Sequence, residues 1–148
     1  MTQPPRHKIS WQTFADDCQK LVPLLQPHNW QGIVAVARGG LVPATILAQA
    51  LEIRCVTSIS LASYANTGPS AQGDIRQTIS SVGDINDGAG WLFVDDLTDS
   101  GSTALWLRQH YPAAKLAVVY AKPQGVAGVD FWGAMQPQEL WLDFPWEN

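Results

Sequence analysis

Cysteine is nearly missing from this sequence: Cys18 and Cys55 are the only two among 148 residues. They have neither CxxC nor zinc-ligand spacing, which excludes a disulfide-stapled fold and a thiolate metal site, and both are expected as buried thiols. A basic excess is also missing. Lys plus Arg number 9 against 13 Asp plus Glu, a net charge of -4, without the clustered positive charge of a duplex nucleic-acid binder. No apolar run is long enough to span a bilayer. The polar start, Met1 to Lys8 with Pro4 and Pro5, has no apolar signal core. These absences point to the cytoplasm. His7, His28 and His110 show no metal-ligand spacing and receive no role. What is present is a 46% apolar composition, enough for one folded domain over residues 1–148, with no internal repeat or linker.

Ser10 reads as an N-cap, followed by Phe14, Cys18, Leu21, Val22 and Leu25 at helical spacing, with Pro23 shortening or kinking the helix. Gly32 to Ala37 is a short apolar run, read as a strand buried on both faces. Arg38-Gly39-Gly40 breaks it, and Pro43 sits in the first turn of a helix that Ala44 to Glu52 continues. Cys55 to Ser60, Trp91 to Val94, Leu116 to Tyr120 and Leu140 to Leu142 read as further strands, and Ser102 to Tyr111 as a helix stopped by Pro112. Residues 126–138 read as irregular. The stretch 65–90 is rich in Gly, Ser, Asn, Asp and Thr, the composition of a long mobile loop at an active site. The order of elements predicts an α/β fold, a mainly parallel twisted sheet flanked by helices. In such sheets ligands bind beyond the carboxyl ends of the strands, which singles out Arg38 to Gly40, Tyr64 onward, Asp95 to Thr103, and Lys122.

The stretch from Trp91 to Thr103 carries the strongest signal. A hydrophobic strand delivers Asp95 and Asp96 to its end. Asp99, Ser100, Gly101, Ser102 and Thr103 then lead into a helix. A helix start offers unpaired N–H groups and a positive dipole end, a natural phosphate site. The hydroxyls donate further hydrogen bonds, and Gly101 lets the backbone approach. The upstream carboxylates suit sugar hydroxyls or a hydrated Mg²⁺. Helix capping explains one such residue; it does not explain three aspartates that repel one another at the end of one strand.

This stretch resembles the phosphoribosyl-pyrophosphate (PRPP) motif of the phosphoribosyltransferases at every position. More of the chain, from about Ile9 onward, is similar to the bacterial xanthine-guanine branch. Trp30 to Pro43, with Arg38 and Gly39, resembles the pyrophosphate loop. Ser63-Tyr64 resembles the start of the flexible catalytic loop. Tyr120-Ala-Lys122-Pro resembles the purine-reading lysine, and Trp141-Leu142-Asp143-Phe-Pro-Trp146 the base-stacking segment. The resemblance implies the phosphoribosyltransferase fold, with a short base-binding hood over 126–148. It implies that Asp95 and Asp96 hold the ribose hydroxyls and Mg²⁺, Asp96 being the better metal ligand. Asp99 would contact both PRPP and the base and exchange a proton near the purine N7, and Ser100 to Thr103 would cradle the 5′-phosphate. Lys122 would donate to a 6-oxo group, Trp141 would stack on the base, and the Leu142 carbonyl would read its 2-position. An ammonium cannot accept from adenine's 6-amino group, so adenine is disfavoured. A homodimer or homotetramer is also implied by the resemblance; the family often has an unusual, sometimes cis, peptide at the pyrophosphate loop, which the sequence does not show.

The implied function is purine salvage from PRPP and free guanine, xanthine or hypoxanthine. Two departures leave an alternative open, a non-catalytic PRPP- or nucleotide-binding regulator on the same fold. Arg76 is the only basic residue in the loop, with Gly83 near the position where the family carries an arginine, and the hood is short. Trp11, Trp91 and Trp106 are assigned to core or subunit contacts.

Overall fold

The computed structural model describes residues 3–64, 74–77 and 82–147. The chain begins with strand β1 (Arg6–Lys8). The Ser10 hydroxyl then accepts from the Thr13 N–H at 3.1 Å and caps helix α1 (Trp11–Gln19). Pro23 lies in the first turn of a separate short helix, α2 (Val22–Leu25), so the predicted helix is divided as the proline requires. Strand β2 (Gly32–Ala37) leads to α3 (Leu41–Ala50) and β3 (Val56–Tyr64). Then come β4 (Asp74–Gln77), β5 (Trp91–Thr98), α4 (Ser102–His110), β6 (Lys115–Ala121), β7 (Phe131–Met135) and β8 (Trp141–Asp143).

The main sheet has the order β4-β3-β2-β5-β6-β7. The five strands β3, β2, β5, β6 and β7 are parallel, and β4 is an antiparallel edge on β3. Alternation along β5 sorts the core into two layers. Leu92 and Val94 join Ile33, Ala35, Ala117 and Val119 against α1 and α3. Phe93 joins Val34, Leu116 and Val118 against α4. The sheet is therefore buried on both faces, as the apolar run of β2 predicts.

Several elements differ from the sequence reading. Residues 131–135, read as irregular, form the edge strand β7, parallel to β6. Gly133 makes this possible: a Cβ there would lie 2.7 Å from the Asp17 carbonyl oxygen and 2.9 Å from that of Val119. Strand β5 continues through both aspartates to Thr98 because its ladder with β6 runs to the pair Thr98–Ala121. Strand β3 runs on to Tyr64, where it pairs with β4, so the stretch expected as loop contains a short strand that includes Arg76. Of the rest of the loop expectation, 65–73 and 78–81 fall outside the described residues, while 82–90 has no helix or strand and leads through turns into β5. The N-terminal arm, unassigned from sequence, pairs β1 in parallel with β8. Trp106 is buried as expected, whereas Trp11 is 55% exposed beside Trp146.

The cysteines also divide. Cys18 is buried, and burial, assisted by the adjacent Asp17 carboxylate, pushes its thiol up to about 12. Cys55, expected to be buried, is exposed because it precedes β3 at the rim of the sheet. A thiol reagent at pH 8 is therefore expected to label the native chain once, at Cys55, and Cys18 only after unfolding. Two rapidly labelled thiols in the native protein would contradict this packing.

Candidate active site

The carboxyl ends of β2, β5 and β6 converge on one rim of the sheet. Asp96 continues the face of Leu92 and Val94, toward the turn before α3, where a Cβ on Gly39 would overlap its carboxylate. Gly40 has no more room, since a Cβ there would run into the Val94 carbonyl oxygen. Glycines at 39 and 40 thus let the β2–α3 turn close onto β5. Asp95 faces the α4 layer and accepts from the Asp96 N–H at 2.8 Å. Burial, then the charge of Asp96 beside it, holds the Asp95 carboxyl well above the ordinary carboxylate range. Asp96 is also raised by burial. Hydrogen bonds from the Asp95 side chain and from the Asp96 and Leu97 N–H groups partly oppose this, and the Glu147 charge adds to it.

The ladder between β5 and β6 takes one more step, from the Lys122 N–H to the Thr98 carbonyl at 3.0 Å. That step sets Lys122 beside Asp99. The lysine is 5% exposed, and its Nζ lies 3.8 Å from Asp99 Oδ1. A tight turn holds it there: the Gly125 and Val126 N–H groups both donate to the Lys122 carbonyl at 3.0 Å. A lysine nearly withdrawn from water, with its ammonium near a carboxylate at the sheet's rim, is not a solvated surface residue.

Beyond Asp99 the chain turns through Ser100 and Gly101, whose φ of 91° requires glycine, into α4. No side chain caps this helix. Instead the Ser100 and Ser102 hydroxyls bond one another at 2.9 Å. The Ser102 N–H also leans on the Ser100 hydroxyl at 3.4 Å, and this start of α4 borders a cavity of about 250 Å³ lined by Asp95 to Thr103, Leu116 and Val118. Uncapped N–H groups, clustered hydroxyls and a positive dipole end suit a phosphate.

Arg38 is exposed at the β2–α3 turn, and its peptide bond with Ala37 is cis. Leu142 is buried and packs into the core near Phe14 and Phe144. The Trp141 N–H and the Asp143 carbonyl bond to the β1 side, at Pro5 (2.8 Å) and Ile9 (2.9 Å). Strand alternation turns the Leu142 carbonyl to the opposite edge. Trp141 is 52% exposed, with the Arg6 guanidinium 5.7 Å from its ring centre and paired to Asp143 at 3.2 Å. The structure thus brings Asp95 to Thr103, Gly39 and Lys122 together. Gly39 and Lys122, like Arg38, Trp141 and Leu142, lie outside the lining of the cavity itself; Gly39 approaches it through Asp96 and Lys122 through Asp99.

The chain matches the phosphoribosyl transferase domain over residues 11–146. It belongs to the phosphoribosyltransferase family. It is 41% identical over 140 residues to a xanthine-guanine phosphoribosyltransferase of Idiomarina loihiensis, spanning 94% of this chain and 85% of the relative. A purine phosphoribosyltransferase structure from Pyrococcus horikoshii superposes with a TM-score of 0.80 at 26% identity, over 97% of this chain and 95% of that one. A xanthine-guanine-hypoxanthine phosphoribosyltransferase structure from Helicobacter pylori gives 0.75 at 25% identity, over 96% and 94%.

The donor set of this phosphoribosyltransferase fits a hard divalent cation. Two adjacent carboxylates are half-buried, neither is ion-paired to a cationic side chain among the described residues, and each is displaced toward its neutral form by burial. Among the described residues no group of three or more His, Cys, Asp or Glu forms a cage. A metal bound here would be held by Asp95 and Asp96 and would need its remaining oxygens from water and substrate, which suits Mg²⁺. Sequence reasoning missed Gln138, whose Nε2 donates to Asp99 Oδ1 at 2.8 Å, and the Arg6 contact with Trp141. Neither belongs to a local motif; only the tertiary fold brings them to the site.

Proposed function

We propose that this phosphoribosyltransferase moves the 5-phosphoribosyl group of PRPP to a 6-oxopurine (guanine, xanthine or hypoxanthine), giving the nucleoside monophosphate and pyrophosphate. The observation that carries the reading is the buried Lys122 ammonium beside Asp99 at the mouth of the phosphate turn. The names of the similar proteins support the purine as acceptor.

In this reading the uncapped start of α4, with Ser100, Gly101, Ser102 and Thr103, binds the 5′-phosphate. Asp95 and Asp96 take the ribose hydroxyls and hold Mg²⁺, with Asp96 facing the Gly39 turn. The metal supplies positive charge to the pyrophosphate and ribose oxygens. Arg38 and the Gly39 backbone meet the pyrophosphate. A base nitrogen forms a bond to the anomeric carbon as the bond to pyrophosphate oxygen breaks. The acceptor purine loses one proton overall, and Asp99 exchanges it at N7. Lys122 donates to the 6-oxo group, Trp141 stacks on the ring and the Leu142 carbonyl reads position 2. Positioning and charge stabilisation supply most of the rate. A cytoplasmic homodimer or homotetramer is the assembly we expect.

Incubation with PRPP, Mg²⁺ and guanine or xanthine tests the proposal, with the products identified by mass. Equal amounts of nucleoside monophosphate and pyrophosphate are expected. Pyrophosphate without nucleotide, or no product with either base, would contradict it.

A further inference from the structure

We propose that Gln138 is a positioning residue that fixes the Asp99 carboxylate for proton exchange with the base. The inference rests on the reading of Asp99 given above. The Gln138 amide is held at both ends: its Nε2 donates to Asp99 Oδ1 at 2.8 Å, and its Oε1 accepts the Gln124 N–H at 2.8 Å. The amide has one orientation only, because the Gln124 N–H can only donate, which places Oε1 on it and leaves Nε2 for Asp99.

Gln138 is itself anchored. The Gln136 N–H donates to the Ala121 carbonyl at 2.9 Å, and the Leu140 N–H to the Pro137 carbonyl at 3.2 Å, closing a turn around it. Asp99 needs such a partner. Its side chain is 60% exposed, and the Lys122 Nζ at 3.8 Å is beyond hydrogen-bond range. Gln138 therefore sets the carboxylate's rotamer, and the Lys122 ammonium keeps its donors for the base. The same bridge ties Asp99 to the segment leading into β8, which carries Trp141 and Leu142.

Gln138→Glu tests this. It keeps the acceptor for the Gln124 N–H, removes the donor to Asp99 and sets a like charge against it. The kcat for guanine is expected to fall on the order of tenfold to a hundredfold, while KM for PRPP stays at the wild-type value. Gln138→Met, similar in shape and uncharged, is a second variant for which a smaller fall in kcat is expected. In an Asp99→Asn background, Gln138→Glu is expected to cost nothing further, because both changes act through one carboxylate.

Unchanged kcat in both single variants would overturn the proposal. So would an equal additional loss in the Asp99→Asn background, or a rise in KM for PRPP with kcat intact, each of which marks Gln138 as a structural tie only. A wild-type chain that turns over no purine overturns the reading of the site as well; turnover by the wild type with kcat unchanged in both single variants overturns this inference alone.

Discussion

Asp99→Asn is expected to lower kcat with guanine by about 10²- to 10⁴-fold, the range over which a positioned general acid or base contributes. Asparagine keeps the volume of the side chain, and its Oδ1 still accepts from Gln138 Nε2, so the β5–α4 turn should keep its shape. The loss is confined to the proton exchange and to the charge facing Lys122, which lies 3.8 Å away. The other residues assigned to PRPP, Arg38, Gly39, Asp95, Asp96 and the start of α4, are untouched. PRPP affinity by calorimetry is therefore expected near the wild-type value, a loss in kcat without a matching loss in binding. An unchanged rate would remove Asp99 from the chemistry. A rate loss matched by lost PRPP binding would make it a phosphate-site residue instead.

Asp95→Asn is expected to stabilise the ligand-free protein and to inactivate it. Burial and then the Asp96 charge hold the Asp95 carboxyl well above its ordinary value. The unfolded chain ionises it near pH 4. Between that pH and the raised folded value the native state binds more protons than the unfolded one, so stability falls as pH rises. Above the unfolded value the wild-type protein either carries the unfavourable charge or holds an extra proton, and asparagine does neither. The gain on substitution is about 1–3 kcal/mol, about 3–10 °C in Tm. It should be larger at pH 8 than at pH 5, where the wild-type carboxyl is closer to its neutral form. Turnover should drop by about 100-fold or more, as when one preorganised electrostatic group is lost. Thermal melts at both pH values, with and without Mg²⁺ and PRPP, check both halves. A lower Tm at pH 8, or wild-type turnover, would contradict the account. Residues that bind the charged ligand would then be distinguishable from residues that hold the fold.

The legible parts of this molecule are those whose signal is local. The strand Trp91 to Val94, the aspartates and the small-residue turn are contiguous, and the sheet rule places them at the strand ends. Lys122 is legible in the same way, as the first residue past β6. The missed parts owe their structure to distant partners. β1 is three exposed residues, Arg6 to Lys8, which form a strand only because β8 lies beside them. β7 contains Gly133 and is at most half-buried, so alternation is weak, and the approach of α1 to that glycine determines its place. Continuation of β5 through two aspartates runs against strand propensity and is imposed by the ladder to β6. Gln138 meets Asp99 across 39 positions of sequence, and a single glutamine carries no pattern that would announce it.

The most direct measurement is kcat/KM for guanine, xanthine, hypoxanthine and adenine in parallel, read as pyrophosphate release from PRPP with Mg²⁺. With Lys122 as the reader, the account predicts turnover of 6-oxopurines and discrimination against adenine by about 10⁴-fold, as expected where a buried donor would be left without an acceptor. Adenine turned over as readily as guanine would contradict the role of Lys122. PRPP binding without release for any base would contradict the enzyme and favour a PRPP-binding regulator on this fold.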